Sequence, residues 1–315
     1  MAESSPARAE FSRGRLFVGL LLVLGLGSAA TWALTGLRDP PSPGRLLYVT
    51  EGALWARELG SGQTRRVAAW PAGAGGPVAS QREVAFHAGG EAWTTDLRTG
   101  ETRAVATGRP VAFAPGGRLT VERGGVLVAG GRTLLPAGAT LADGSPVWVS
   151  RSTIAVRLSG PGGEPVTATL LDVGAAPPSV AQDLGDARPL AASPDGAQLL
   201  LQRGFRLELH RVRDRRSEPI GPNGAFTRAA VSPSGVLAVA GTLADGREGI
   251  FSFGAPEEVV TIVPGEVADM SWTADGSSIV FVDPAGRVAR VGAREPGSPR
   301  RIGVRADLGW VAVVP

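Results

Sequence analysis

Apolar residues in this chain fall into two regimes. From Leu16 to Leu37 they form one uncharged run of 22 residues. From Arg45 onward they come in short bursts, such as Leu46-Leu47-Tyr48-Val49, Leu199-Leu200-Leu201 and Ile279-Val280-Phe281, separated by glycine, proline, serine and aspartate. Other stretches alternate, as in Arg206-Leu207-Glu208-Leu209-His210, the pattern of a strand whose successive side chains take opposite faces. Short strands and tight turns suit this pattern better than long helices.

The bursts repeat. Segments beginning at Gly75, Gly108, Gly144, Ala187, Thr227, Ala268 and Ala306 align through Val78, Val111, Val147, Leu190, Ala229, Met270 and Leu308, at spacings of 33, 36, 43, 39, 41 and 38 residues. A period near 40 is that of a four-stranded propeller blade. Each unit reads as a short apolar strand, a turn such as Ser193-Pro194-Asp195-Gly196, a second apolar strand, an alternating third strand and an outer fourth. Two third strands match in register: Trp55 corresponds to Trp93, Leu59 to Leu97 and Gly62 to Gly100. The unit from Arg109 to about Pro136 is short, which leaves six or seven blades open.

The chain ends complement each other. Ala306–Pro315 aligns with the first strands through Leu308 and Trp310, yet no second strand follows it. Arg45–Thr50 reads as a second strand without a first. Joining them completes one blade and removes an open sheet edge. The expected fold is therefore an all-β propeller over residues 45–315, seven-bladed or possible with six, closed by pairing its C-terminal strand with its N-terminal strands.

The repeat resembles the TolB-type and Trp-Asp-like propellers of bacterial envelopes. Ser193 to Gly196 fit that family's Ser-Pro-Asp-Gly turn, and Asp96, Thr99, Gly100 and Glu101 fit the Asp-x-x-Thr-Gly-Glu ending of its aromatic-containing strand. The units at Pro77 and Pro146 depart from it in lacking the Pro-Asp-Gly turn. The resemblance spans about Arg45 to Pro315; it implies the fold and says little about function, because one fold hosts many activities.

As a helix, Leu16–Leu37 would extend about 33 Å at ~1.5 Å per residue, enough for a ~30 Å hydrocarbon core. Arg8, Arg13 and Arg15 precede it, which places residues 1–15 in the cytoplasm as a short tail and the propeller outside. Gly25, Ala29, Ala33 and Gly36 would share one helix face, a candidate surface for packing against another helix. Residues 38–44, rich in proline, form a short stiff spacer. The alternative is a signal peptide cleaved after Ser28-Ala29-Ala30, which would release a secreted periplasmic protein with a TolB-like envelope role.

Composition narrows the chemistry. There is no cysteine and there are only two histidines, His87 and His210, so a thiolate zinc site and a three-histidine site are both excluded. No Gly-x-Ser-x-Gly elbow, phosphate loop or dinucleotide fingerprint occurs. Asp-Gly pairs at 143, 195, 245 and 275 lack EF-hand spacing and read as turns. Phe113, Val231, Trp272 and Trp310 share one slot on the first strands, with Trp148 beside it, and read as blade-to-blade packing. All 32 basic residues are arginine, interspersed with 29 acidic ones, without the basic stripe of a nucleic-acid binder. One constellation remains: Arg109, Arg188 and Arg228 stand at the starts of first strands and Arg305 lies close to the last, so these four are candidates for a positive channel mouth that meets an acidic partner. The expectation is a single-pass protein of the inner membrane. No cofactor or metal is expected, and its role is non-catalytic: scaffolding or protein-protein interaction as an accessory subunit, with other membrane or periplasmic proteins as partners. A propeller hydrolase or lactonase is the rival from a different class.

Overall fold

The computed structural model describes residues 42–142, 146–160, 165–253, 259–293 and 299–315. All regular structure in them is β. The expected tail, the span Leu16–Leu37, the small residues Gly25, Ala29, Ala33 and Gly36, and most of the spacer lie outside the described residues. No helix among the described residues is long and apolar enough to cross a membrane.

Seven antiparallel sheets follow one another along the chain. Blade 1 joins both chain ends: Val311–Val314 is its inner strand, followed outward by Arg45–Thr50, Ala53–Glu58 and Thr64–Ala69. Blades 2, 3, 5, 6 and 7 begin with inner strands Gly75–Ala79, Arg109–Phe113, Arg188–Ala192, Gly224–Val231 and Asp269–Trp272, each followed outward by three more in sequence order. In blade 4 the inner strand is split into Thr140–Leu141 and Val147–Trp148, both paired with Thr153–Ser159. The short unit does form a blade; its outer strand is only Arg132–Thr133. The blade count is seven.

The closing pairing is Arg45 with Val314, Leu46 with Val313, Leu47 with Ala312 and Tyr48 with Val311. The strand starts later than the repeat alignment places it. Ala306–Gly309 is a turn, closed by Gly309 N–H donating to Ala306 O (2.9 Å), and Gly309 has φ of 60°. Asp307 is held against the neighbouring hairpin: its N–H donates to Val49 O and its carboxylate accepts from Glu51 N–H, both at 2.8 Å. Leu308 therefore sits in the turn, 41% exposed, and Trp310 precedes the strand, packing with the cluster between blades 1 and 2. Neither carries the closing hydrogen bonds, which belong to Val311–Val314.

Continuous apolar bursts appear in second strands because each sheet is covered on both faces. Alternation then assigns every residue to one seam. Leu46 and Tyr48 face blade 7, whereas Leu47 and Val49 face blade 2. Leu199 and Leu201 pack toward blade 4, and Leu200 toward blade 6. Ile279 and Phe281 pack toward blade 6, and Val280 and Val282 toward blade 1. The seam between blades 2 and 3 differs. The same alternation sends Ala85, Ala92 and Thr94 to it, opposite Val121, so it is filled by small buried side chains.

The matched third strands are matched in detail. Trp55 Nε1 donates to Thr50 O (3.3 Å) and Trp93 Nε1 to Ala88 O (3.2 Å). Gly62 N–H donates to Glu58 O and Gly100 N–H to Asp96 O, both at 2.8 Å. Gly100 has φ of 76°, and a Cβ there would lie 2.4 Å from Val67 O of blade 1, so the turn requires glycine.

The closing strand leads to a direct expectation. A chain ending at Arg305 leaves one edge of Arg45–Tyr48 unpaired and strips the buried Val311 and Val314 from two seams. It should aggregate or melt well below the full chain in size-exclusion and thermal-unfolding measurements. A monomer with an unshifted midpoint would contradict this account of closure.

Candidate functional site

The ring has two faces. The upper face carries the starts of the inner strands, the hairpins between second and third strands, and the connections from blade to blade. The lower face carries the turns from inner to second strand and from third to outer strand. Residues 42–44 join the ring at the lower face: Ala274 N–H donates to Pro43 O and Leu59 N–H to Gly44 O, both at 3.0 Å.

Arg109, Arg188 and Arg228 lie on inner strands toward the upper face, but each is engaged with its own ring. Arg109 pairs with Glu122 across the strand pair (3.5 Å). Arg188 donates to Gln202 Oε1 (2.6 Å) and to Phe226 O of the next blade. Arg228 pairs with Asp269 of blade 7 (3.4 Å). Arg305 ends the outer strand of blade 7 and donates to Ala285 O (3.1 Å), so it stands away from the inner strands. The four share a face without forming one cluster. Arg109 and Arg228 keep 59% and 52% of their side-chain surface exposed, so their ion pairs contribute little stability.

Asp269 was not legible as a special residue, although an acid inside an otherwise apolar first strand was the available signal. Its carboxylate takes Arg228 on one oxygen and accepts Val311 N–H (3.2 Å) on the other. Ser271 Oγ accepts Val313 N–H (3.1 Å) two residues on. Blade 7 thus holds the closing strand through side chains while Arg45–Tyr48 holds it through backbone. Burial raises the Asp269 carboxyl above the usual carboxylate range, opposed by the Val311 amide and the Arg228 charge.

The aromatic slot is structural where hydrogen bonds report on it. Trp272 is 6% exposed and donates from Nε1 to Ala230 O of blade 6 (3.2 Å). Trp148 is 8% exposed and donates to Thr120 Oγ1 of blade 3 (3.0 Å). His210 also spans a seam. It is buried, with Nδ1 at 3.0 Å from Ser217 Oγ and Nε2 at 3.2 Å from Gln182 Oε1 of blade 4. Burial pushes its pKa down, and Glu208 opposes this weakly.

The Asp-Gly turns serve the backbone. Asp195 Oδ1 accepts from Ser193 Oγ–H (2.5 Å) and Ala197 N–H (3.0 Å), and Asp275 Oδ1 from Thr273 Oγ1–H (2.6 Å) and Ser277 N–H (3.0 Å). Asp245 accepts from Arg247. Asp143 lies outside the described residues. Among the described residues no group of acidic or histidine side chains is arranged to hold a metal ion.

Two features distinguish the faces. From the upper face, a groove of about 620 Å³ runs down between blades 6 and 7, walled by Val263, Pro264, Phe281, Pro284 and Pro299 and by the charged Glu266, Asp283, Arg287 and Arg301. Several upper-face arginines are paired: besides Arg109 and Arg228, Arg203 meets Asp186 and Glu208, Arg247 meets Asp245 and Arg287 meets Asp283, whereas Arg123, Arg206 and Arg305 form no ion pair among the described residues. On the lower face, Arg82, Arg98, Arg151, Arg213 and Arg215 are exposed and form no ion pair among the described residues. Arg118, also exposed there, lies over the Trp148 ring (5.8 Å) and donates to Arg151 O (3.0 Å).

No protein-family model matches the chain, and no curated protein matches it by sequence. Solved propellers do match in three dimensions. A chain of the mitotic checkpoint complex superposes with a TM-score of 0.59 at 12% identity, over 81% of this chain and 88% of that one. A chain of Kuenenia stuttgartiensis hydrazine synthase gives 0.55 at 11% identity, over 80% and 94%. The WD40 β-propeller domain of Doa1 gives 0.52 at 13% identity, over 80% and 90%. At these identities the likeness shows the fold, a seven-bladed propeller, and no more.

Two outcomes follow. Asp269→Ala orphans the buried Val311 N–H and should cost about 1–3 kcal/mol in denaturant unfolding, with Asp269→Asn recovering much of it; equal losses in both variants would contradict the amide role. For His210, a depressed folded-state pKa means that its contribution is complete above the ordinary histidine value of about 6.5 and is lost as pH falls through the window beneath it. Thermal midpoints should therefore fall more steeply from about pH 7.5 to about pH 5 in the parent than in His210→Gln; parallel profiles would remove the effect.

Proposed function

We propose that the chain is a non-catalytic, protein-binding scaffold, tethered to the inner membrane by Leu16–Leu37 and displayed on the extracytoplasmic side as an accessory subunit of a membrane complex. The observation that carries this reading is the closed ring with its two unlike faces. Residues 42–44 arrive at the lower face, and the upper face presents short, well-braced loops around a groove of about 620 Å³. Rigid loops on a β scaffold offer a preformed surface at low ordering cost. The groove mixes apolar walls with two acids and two bases, Glu266, Asp283, Arg287 and Arg301, the texture of a protein-recognition surface rather than of a small-molecule cavity. The uncharged run and the arginines before it support the tether and its direction. The TolB-like turn and strand endings support a place in the bacterial envelope, and small residues at Ser28-Ala29-Ala30 support the alternative of a released periplasmic form.

The test is affinity purification of the full chain from native membranes in mild detergent, with quantitative mass spectrometry of what travels with it. A stoichiometric partner is expected, and its recovery should drop in a Glu266→Arg, Arg301→Glu double variant whose melting midpoint is unchanged. A lone monomer would overturn the scaffold reading. Intact mass of the same sample decides between a retained anchor and cleavage after Ala30.

A further inference from the structure

The lower face carries a charge pattern that the scaffold role leaves unused. Arg82 and Arg98 lie on the turns of blade 2, Arg118 on that of blade 3, Arg151 on that of blade 4, and Arg213 and Arg215 on the outer hairpin of blade 5. All six are exposed and none has an ion-pair partner among the described residues. Four consecutive blades therefore place guanidiniums that form no ion pair along one arc of one face. Two of them are linked: Arg118 donates to Arg151 O (3.0 Å), and glycines lie beside both, Gly130 against Arg118 and Gly116 against Arg151. Acids share the same arc, and two of them are in ion pairs. Glu83 pairs with Arg103 and Glu218 with Arg211. Asp96 gives one oxygen to the N–H groups of Arg98 and Thr99 (2.8 Å each), Asp172 to Gly174 N–H, and Asp195 to its own turn. These three keep their charge against neutral amides, and Glu101 and Asp214 lie in the same arc. On the upper face five arginines, Arg109, Arg203, Arg228, Arg247 and Arg287, are in ion pairs.

This is also the face at which residues 42–44 join the ring. Only four residues separate Leu37 from Ser42, two of them proline. A spacer that short, even fully extended at ~3.3–3.6 Å per residue, keeps the point of attachment within about 20 Å of the end of the apolar run. We infer that the arc from Arg82 to Arg215 is a docking surface for the anionic headgroups of the membrane that holds Leu16–Leu37. The inference rests on the tether proposed above. Guanidiniums suit phosphodiesters because they donate in a planar fork and hydrate weakly. Each arginine near an anionic surface adds roughly a fivefold preference, screened by salt over about a Debye length.

The full chain is reconstituted into vesicles of phosphatidylcholine alone or with about one third phosphatidylglycerol, and arginine reactivity toward phenylglyoxal is read site by site by mass spectrometry. Flotation in alkaline carbonate first establishes that the chain is inserted; failure to insert overturns the tether and this inference with it. With insertion shown, Arg98, Arg118, Arg151, Arg213 and Arg215 should be modified about fivefold more slowly in the anionic vesicles, while Arg206 on the upper face is unaffected. High salt should abolish the protection, and the Arg118→Gln, Arg151→Gln double variant should lose it at the remaining sites. Equal reactivity in both vesicle types overturns the lipid assignment while leaving the tether standing. Protection seen only in native membranes overturns it in favour of an acidic protein.

Discussion

Pairing of Arg45–Tyr48 with Val311–Val314 converts a row of sheets into a ring. Every sheet in this chain is apolar on both faces, as the unbroken burial of Leu46 to Val49 and of Ser278 to Val282 shows. An open row would leave two such faces in water and two unpaired edges. Closure buries both at once. The side chains of blade 7 reinforce it, because Asp269 and Ser271 take the alternate amides Val311 and Val313 that the backbone ladder leaves free. The last strand is thus held from two directions by different chemistry.

Much of this could be read from the residues. The repeat is legible because each blade must rebuild the same sandwich, and alternation leaves the same apolar spacing each time. Closure is legible because two incomplete units lie at opposite ends of one chain. The register of the last strand was not. Ala306-Asp307-Leu308-Gly309-Trp310 imitates Ala268-Asp269-Met270-Ser271-Trp272, yet Gly309 turns where Ser271 extends, and Asp307 caps a hairpin where Asp269 binds the next strand. Local likeness carried the alignment, whereas tertiary pairing decides where the strand begins.

The candidate site was less legible. Arg109, Arg188, Arg228 and Arg305 do share a face, but a one-dimensional pattern cannot show that Glu122, Phe226 O and Asp269 stand within reach of the first three. The same limit hid the lower-face arginines, which are scattered over more than a hundred residues of sequence and meet only because turns of successive blades stack around an axis. Their distinction lies in what is missing around them, and partners become visible only in three dimensions.

The thin seam between blades 2 and 3 bears on the whole ring. Wedge angles around a closed polygon must sum to a full turn. Where Ala85, Ala92 and Thr94 meet Val121, the two sheets can approach closely, so the remaining wedges together must open wider. Those wedges hold bulkier fillings: Trp70 and Phe86 with Trp93 and Trp310 between blades 1 and 2, Trp148 between blades 3 and 4, Phe226 and Phe251 between blades 5 and 6, and Trp272 between blades 6 and 7. Side-chain volumes at distant seams are therefore coupled through angular closure, although those residues never touch. A bulky replacement at Ala85 would press on Trp272 through the circumference rather than through a contact.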